Sequence, residues 1–311
     1  MNGNWIHIKS VLEMVGKNSI SLLCLVIMLL CCADARAGYV PQGEGKMSTP
    51  DEGMSVDDYM KLWYHLKYGK DCNDYYSHGW VIKKDKRGYI RKQEWLRYMI
   101  TLRRKSDDLD FKDLVTLLNP QNVKGLSVLT WTYISPNRDQ DVWLWLPSLR
   151  KIRRVSQSDG DDSFIGADST YDEVMTRKWD DETYKMIGEE EFSGYHSWHT
   201  DKTYYKGLNC KVIEATTKKK DWYYVKRRIF FEKDTALNVF EDYYDETGKR
   251  FKTVFRLWSD QSEMKYKTYL LPEFTNIRES HSSALPIEDV KFDQGLKENF
   301  FSERVLMRSK W

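Results

Sequence analysis

The sequence predicts a mainly β protein built on an antiparallel sheet, and three observations carry that prediction. From residue 78 almost to the end of the chain, apolar residues recur with a period of two. Turn signals such as Lys86-Arg87-Gly88, Pro136-Asn137 and Glu246-Thr247-Gly248 interrupt the pattern at hairpin spacing. Only one stretch, near the start of this region, carries a helical period instead.

The first 37 residues read as a secretory signal. Lys9 and Lys17 supply positive charge, Ile20 to Cys32 is almost wholly apolar, and Ala35-Arg36-Ala37 offers a small-x-small cleavage pattern. Cleavage leaves Gly38 first; retention as an uncleaved anchor is the alternative. The apolar run is short of the roughly 20 residues a spanning helix needs, and Leu30 and Cys31 before Cys32 are poor company for a lipidated cysteine. Export makes the protein periplasmic, free or associated with a membrane surface.

Residues 38–54, rich in Gly, Pro and Ser, read as a flexible leader, and 55–311 as one domain. The chain carries 49 Lys and Arg against 47 Asp and Glu. The signal removes three bases and two acids, so the mature charge stays balanced, which argues against nucleic acid as a partner. Cys24, Cys31 and Cys32 leave with the signal. Cys72 and Cys210 remain, either as a disulfide in an oxidising compartment or as two separate core thiols.

Ser55 precedes Asp58 at capping-box spacing, and Tyr59, Leu62, Trp63 and Leu66 follow at helical intervals, predicting a helix over 56–68. It packs on a sheet or serves as a lid over an apolar cavity. Strands are expected over 79–84, 89–104, 110–118, 126–134, 141–146, 150–155, 183–188, 208–216, 222–232, 236–244, 250–259, 266–276 and 283–292.

Several strands are apolar on both faces. In 141–146, Val142, Leu144 and Leu146 oppose Trp143 and Trp145; in 126–133, Leu126 and Val128 oppose Leu129, Trp131 and Tyr133. A water-facing sheet surface does not usually carry tryptophans. The second face therefore packs on further structure or lines a cavity for an apolar ligand. Residues 156–170 break the pattern as a long polar loop, a connector or a functional segment. Residues 192–206 read as an insertion, a surface flap.

No G-x-S-x-G elbow and no Cys with a neighbouring His in sequence is present, which argues against an enzyme. His196 and His199 are three apart but lack further ligands nearby in sequence, and Asp159, Asp161 and Asp162 lack calcium-loop spacing, so neither a metal nor another cofactor is expected. Arg150, Lys151, Arg153 and Arg154 form the densest basic cluster, suited to lipid headgroups or a partner's acidic surface, or to a charged edge strand that discourages aggregation.

The block from Asp141 through Trp143, Trp145, Pro147, Leu149, Lys151, Arg153 and Arg154 to Ser156, followed by Ser158, Asp159, Ser163, Phe164, Gly166, Asp168 and Tyr171, resembles the outer-membrane lipoprotein-sorting family, relatives of LolA-type carriers. Members carry a similar W-x-Y-L-P-x-L-x-K-x-R-R strand pair and an S-F-M-G-x-D-x-T-Y loop. Weaker matches extend the resemblance over about 114–306, departing from it in the His196–Lys206 insertion and before residue 110. The resemblance implies a strongly curved antiparallel sheet, an incomplete, half-open barrel of the LolA/LolB type covered by helices. It also implies a non-catalytic carrier that shields acyl chains of a lipid or lipoprotein between envelope membranes, receiving them from an inner-membrane transporter and releasing them to an outer-membrane acceptor. Trp131, Trp143, Trp145, Leu144 and Leu146 are then the candidate cavity lining. The alternative is a lipid-sensing or adaptor subunit of an envelope export complex.

Overall fold

Ser55 opens helix α1 (Val56–Lys67) from an extended backbone, its Oγ accepting the Asp58 amide at 3.2 Å. The predicted stripe of Tyr59, Leu62, Trp63 and Leu66 is buried, and so are Met60, Tyr64 and Lys67. A helix covered on so much of its surface lies inside a fold rather than on it. The computed structural model describes residues 50, 53–68, 71–156, 159–259 and 264–307, all within the unit Gly43–Trp311. The expected signal at 1–37, most of the leader and Ser158 lie outside the described residues.

The strands are β1 (Asp74–Lys84), β2 (Ile90–Arg104), β3 (Leu109–Asn119), β4 (Ser127–Tyr133), β5 (Asp141–Leu146), β6 (Lys151–Val155), β7 (Glu182–Phe192), β8 (Tyr195–His196), β9 (Thr203–Tyr204), β10 (Leu208–Thr217), β11 (Lys226–Glu232), β12 (Asn238–Tyr244), β13 (Arg250–Trp258), β14 (Tyr269–Asn276), β15 (His281–Ala284) and β16 (Ile287–Phe292). Fourteen of them form one sheet in the order β6-β5-β4-β3-β2-β1-β15-β14-β13-β12-β11-β10-β7, with β16 also on β1. Each pairing is antiparallel, as hairpin connections dictate. The expected strand at 283–292 is broken at Leu285-Pro286 into two strands that both pair with β1. Proline has no amide proton with which to continue the ladder.

Register shifts in β2, β10, β11, β12 and β13 bend the sheet. The sheet does not close: β6 and β7 stand at its two ends. These ends are consecutive in sequence, so the segment between them, described over 159–181, joins one free edge to the other. Both edges carry charge, Lys151, Arg153 and Arg154 on β6 and Glu189, Glu190 and Glu191 on β7, which discourages pairing with another chain.

On the inner face, α1 touches both halves of the sheet: Tyr59 meets Phe231 edge-on at 5.2 Å, and Tyr68, just past the helix end, stacks on Phe111 at 5.4 Å. On the outer face, Phe301, Val305 and Leu306, from the short helix α2 (Glu303–Leu306) and the residues before it, cover Leu114, Leu129, Trp143 and Trp145. Elsewhere the β8–β9 hairpin lies on the sheet, the Tyr195 ring stacked on Phe255 at 4.4 Å; this is the flap expected at 192–206. Cys72 and Cys210 are both buried and not joined to each other, so the disulfide considered from sequence is not formed. Burial pushes each thiol up to about 12.

Candidate functional site

Strand parity divides the interior into two apolar compartments with charge between them. On β2, Met99 belongs to the cluster around α1, Trp95 to the cluster under the crossover, and Arg97 lies between them. The same succession recurs as Phe111, Asp113, Val115 on β3, as Val239, Glu241, Tyr243 on β12, and as Trp258, Arg256, Val254 on β13. A belt of charged side chains thus crosses the interior at one level.

The belt is paired. Arg97 donates to Asp113 at 2.6 Å, Arg227 lies between Glu182 and Glu241 at 2.6 Å from each, and Arg256 bonds Glu241. Arg177 donates through Nε to Asp172 at 2.8 Å, and Lys252 meets Glu173 at 2.7 Å. Burial disfavours the ionised Glu241, but Arg256 and Arg227 outweigh it and hold its carboxyl well below the usual range. Lys67 differs. It is 4% exposed, donates to the Tyr68 hydroxyl at 3.1 Å and lies 5.2 Å from the Trp63 ring, and among the described residues no carboxylate lies within ion-pair distance of it.

Above the belt is a hollow of about 670 Å³, the open space at its mouth included, of which about 60 Å³ accepts the centre of a water molecule. Its apolar wall comes from Val81, Trp95, Val115, Phe274 and Leu285, and its floor from Lys67, Arg97, Asp113 and Arg256. The cover is the edge-to-edge crossover, which contributes Phe164, Ile165 and Met175. Two irregularities mark that cover. Ile165 has φ 46°, a left-handed conformation costly for a β-branched residue, and Asp172–Thr176 is a π-helical turn. Such features recur where a segment has to rearrange.

The expected site residues are distributed differently from the expectation. Trp143 and Trp145 are buried on the outer face beneath the C-terminal segment, and Trp131 packs beside them, its indole donating to the Phe301 carbonyl at 3.1 Å. None of the three lines the hollow, because the strand face they share points away from α1. Leu144 points inward but belongs to a shallow cleft near the β6 edge with Val155 and Tyr171, and Leu146 is half-buried at the end of β5. Arg150 and Lys151 are exposed, Arg153 reaches Asp159 at 3.4 Å, and Arg154 pairs with Asp141, so this cluster lies on and beside the edge strand.

The motif loop is where sequence and site meet. Phe164 reaches the hollow, while Ser163, Gly166 and Asp168 line a polar cleft on the outside of the cover. Asp168 anchors it, accepting from the Ser283 hydroxyl at 2.6 Å and bonding His281, and the Asp159 carboxylate accepts the Ser156 amide at 3.1 Å. The floor residues escaped the sequence reading because a charge within a strand reads as a water-facing position. Apolar neighbours two residues away on both sides, as in Phe111, Asp113, Val115, were the available signal.

A family model described only as "Uncharacterized protein" matches residues 110–308. No curated protein matches significantly. Among solved structures, an outer-membrane lipoprotein-sorting protein domain from Vibrio parahaemolyticus is similar at 20% identity and a TM-score of 0.66, over 81% of this chain and 98% of that one. A DUF1329 family protein from Desulfovibrio piger is similar at 23% identity and a TM-score of 0.66, over 81% and 98%. A LolA superfamily protein from Nitrosomonas europaea is similar at 11% identity and a TM-score of 0.57, over 81% and 100%. The chain belongs to the family that this model defines, and its open, curved antiparallel sheet is that of the LolA-like outer-membrane lipoprotein-sorting proteins.

Proposed function

We propose that the protein is a non-catalytic carrier of the bacterial envelope that shields acyl chains of a lipid or lipoprotein inside the hollow during passage through the periplasm. The observation that carries this reading is the hollow itself: an apolar wall on the inner face of an unclosed sheet, roofed by the one segment that joins its free edges. Each methylene moved from water into such a wall contributes about 0.8 kcal/mol, so a chain of ordinary length offsets the cost of leaving a membrane without covalent chemistry. The free space of about 60 Å³ is too small for a whole chain, so the present state is the closed one and loading requires the cover to move. Ile165 and the π-helical turn are the places where it yields.

That small free volume is also what favours the second reading, an adaptor that keeps its cover shut and docks on an export complex. Native mass spectrometry of protein purified from an envelope fraction separates the two. A carrier emerges with stoichiometric lipid that organic solvent removes and added lipid restores. Protein that is empty, refuses added lipid and retains a membrane partner is the adaptor.

A further inference from the structure

Lys67 is the one cation of the charge belt with no carboxylate beside it among the described residues, and it stands on the floor of the hollow. It ends α1, reaches Tyr68 Oη at 3.1 Å, and shares the floor with Arg97, already paired to Asp113, and Arg256, already paired to Glu241. A charged ammonium buried without a counter-ion is expensive, and an amine kept neutral there leaves its remaining hydrogen-bonding capacity unused. An amine kept only to fill space would be less favourable than methionine, which has similar length and no desolvation penalty. Burial, with Arg177 and Arg256 close by and Glu241 opposing them only in part, pushes the Lys67 amine well below the usual lysine range. An anion arriving at this point restores the proton and completes the pairing.

Resting on the carrier reading, we infer that the hollow takes a single-chain amphiphile with an anionic head, of which a fatty-acid carboxylate is the simplest, its head against Lys67 Nζ and its alkyl chain along Val81, Val115, Phe274 and Leu285. A single spare cation matches a single small acid. Zwitterionic or doubly anionic heads would leave a charge unmatched among pairs that are already complete. With about 60 Å³ free in the closed state, the hollow has to open less for one chain than for the two chains of a phospholipid.

The test compares oleate with oleyl alcohol, each below its aggregation concentration, by titration into delipidated protein at neutral pH. One buried charge-assisted contact predicts that oleate binds roughly ten- to a hundred-fold tighter than the alcohol. Lys67→Met is expected to abolish that preference by weakening oleate far more than the alcohol, with circular dichroism and the urea midpoint showing that the variant is folded. Equal affinity for acid and alcohol in the native protein overturns the anionic-head assignment and leaves the carrier intact. A preference that survives Lys67→Met overturns it too. Failure of both ligands to bind removes the carrier reading itself. The preference in the native protein needs no variant, so the inference remains testable if Lys67→Met does not fold.

Discussion

At the scale of single residues, the wall of the hollow depends on a missing side chain. Gly79 on β1 lies under the Trp95 indole, and a Cβ added there would stand 2.5 Å from both the Trp95 ring and the Pro286 carbonyl oxygen. Glycine is required by closeness, not by backbone conformation: it lets the indole lie flat against the strand and leaves the space above it open. Gly79→Ala must therefore shift Trp95, or move the chain at the Leu285-Pro286 break. The expected cost is about 1–3 kcal/mol, the usual range for overpacking a filled site, read as a lower urea midpoint with an unchanged slope. An alanine variant as stable as the native protein would mean that the indole is loosely held and that the wall has room to adjust. Ile165 and Lys67 are further local violations of ordinary preference, one of backbone and one of burial, and both border the hollow whose wall includes the Trp95 that Gly79 seats.

At the scale of elements, the C-terminal segment closes the outer face where strands β3, β4 and β5 present Leu114, Leu129, Trp143 and Trp145. Alternation made it legible that 126–133 and 141–146 are apolar on both faces. Which face is inner was not legible, because parity repeats every two residues whatever covers it, and the cover for these tryptophans arrives more than 150 residues later in the chain. The segment is tied down by Glu298, which accepts from Arg104 at 2.7 Å and Lys112 at 2.8 Å. The Arg104 hydrogen bond chiefly, then Lys112, overcome partial burial and hold its carboxyl at about 2, against an ordinary 4.5. A carboxyl lowered on folding contributes stability above its unfolded value and loses it as pH falls through the folded one. Docking of the segment should weaken between pH 4.5 and about 2, with hydrogen exchange of the Phe300–Leu306 amides accelerating before the central strands respond. Glu298→Gln should exchange fast in this segment already at neutral pH. Identical exchange in the two proteins would show that the apolar contacts of Phe301 and Leu306 hold the segment without the ion pairs.

For the whole molecule, element order, hairpin topology and the motif loop were readable because each leaves a local mark: a period, a turn residue, a string such as Ser163-Phe164-Ile165-Gly166. The charge belt leaves none, since the hairpin that carries Arg97 and Asp113 and the hairpin that carries Glu241 and Arg256 are far apart in sequence and acquire a common level only when the sheet curls. The belt has a structural consequence that the apolar clusters lack. It separates the compartment filled by α1 from the one left partly hollow, because aliphatic side chains on one side cannot spread across a layer of paired, hydrogen-bonded charges. Glu241 is its hub, bonded to Arg227 at 2.6 Å and to Arg256, with Arg177 at 4.0 Å. Removing one partner of a buried ion pair typically costs about 3–5 kcal/mol because the other charge stays buried and unmatched, and Glu241→Gln leaves Arg256 without its only carboxylate among the described residues. The expected result is a loss of that size in chemical denaturation, larger than for Glu182→Gln, after which Arg227 still keeps Glu241. Acyl-chain binding should weaken in parallel, since an unmatched Arg256 on the floor draws water into the hollow and the apolar wall no longer faces a dry space. A Glu241→Gln protein of native stability that binds chains as before would show that the belt is incidental to both, and that the α1 side chains alone keep the lower compartment full.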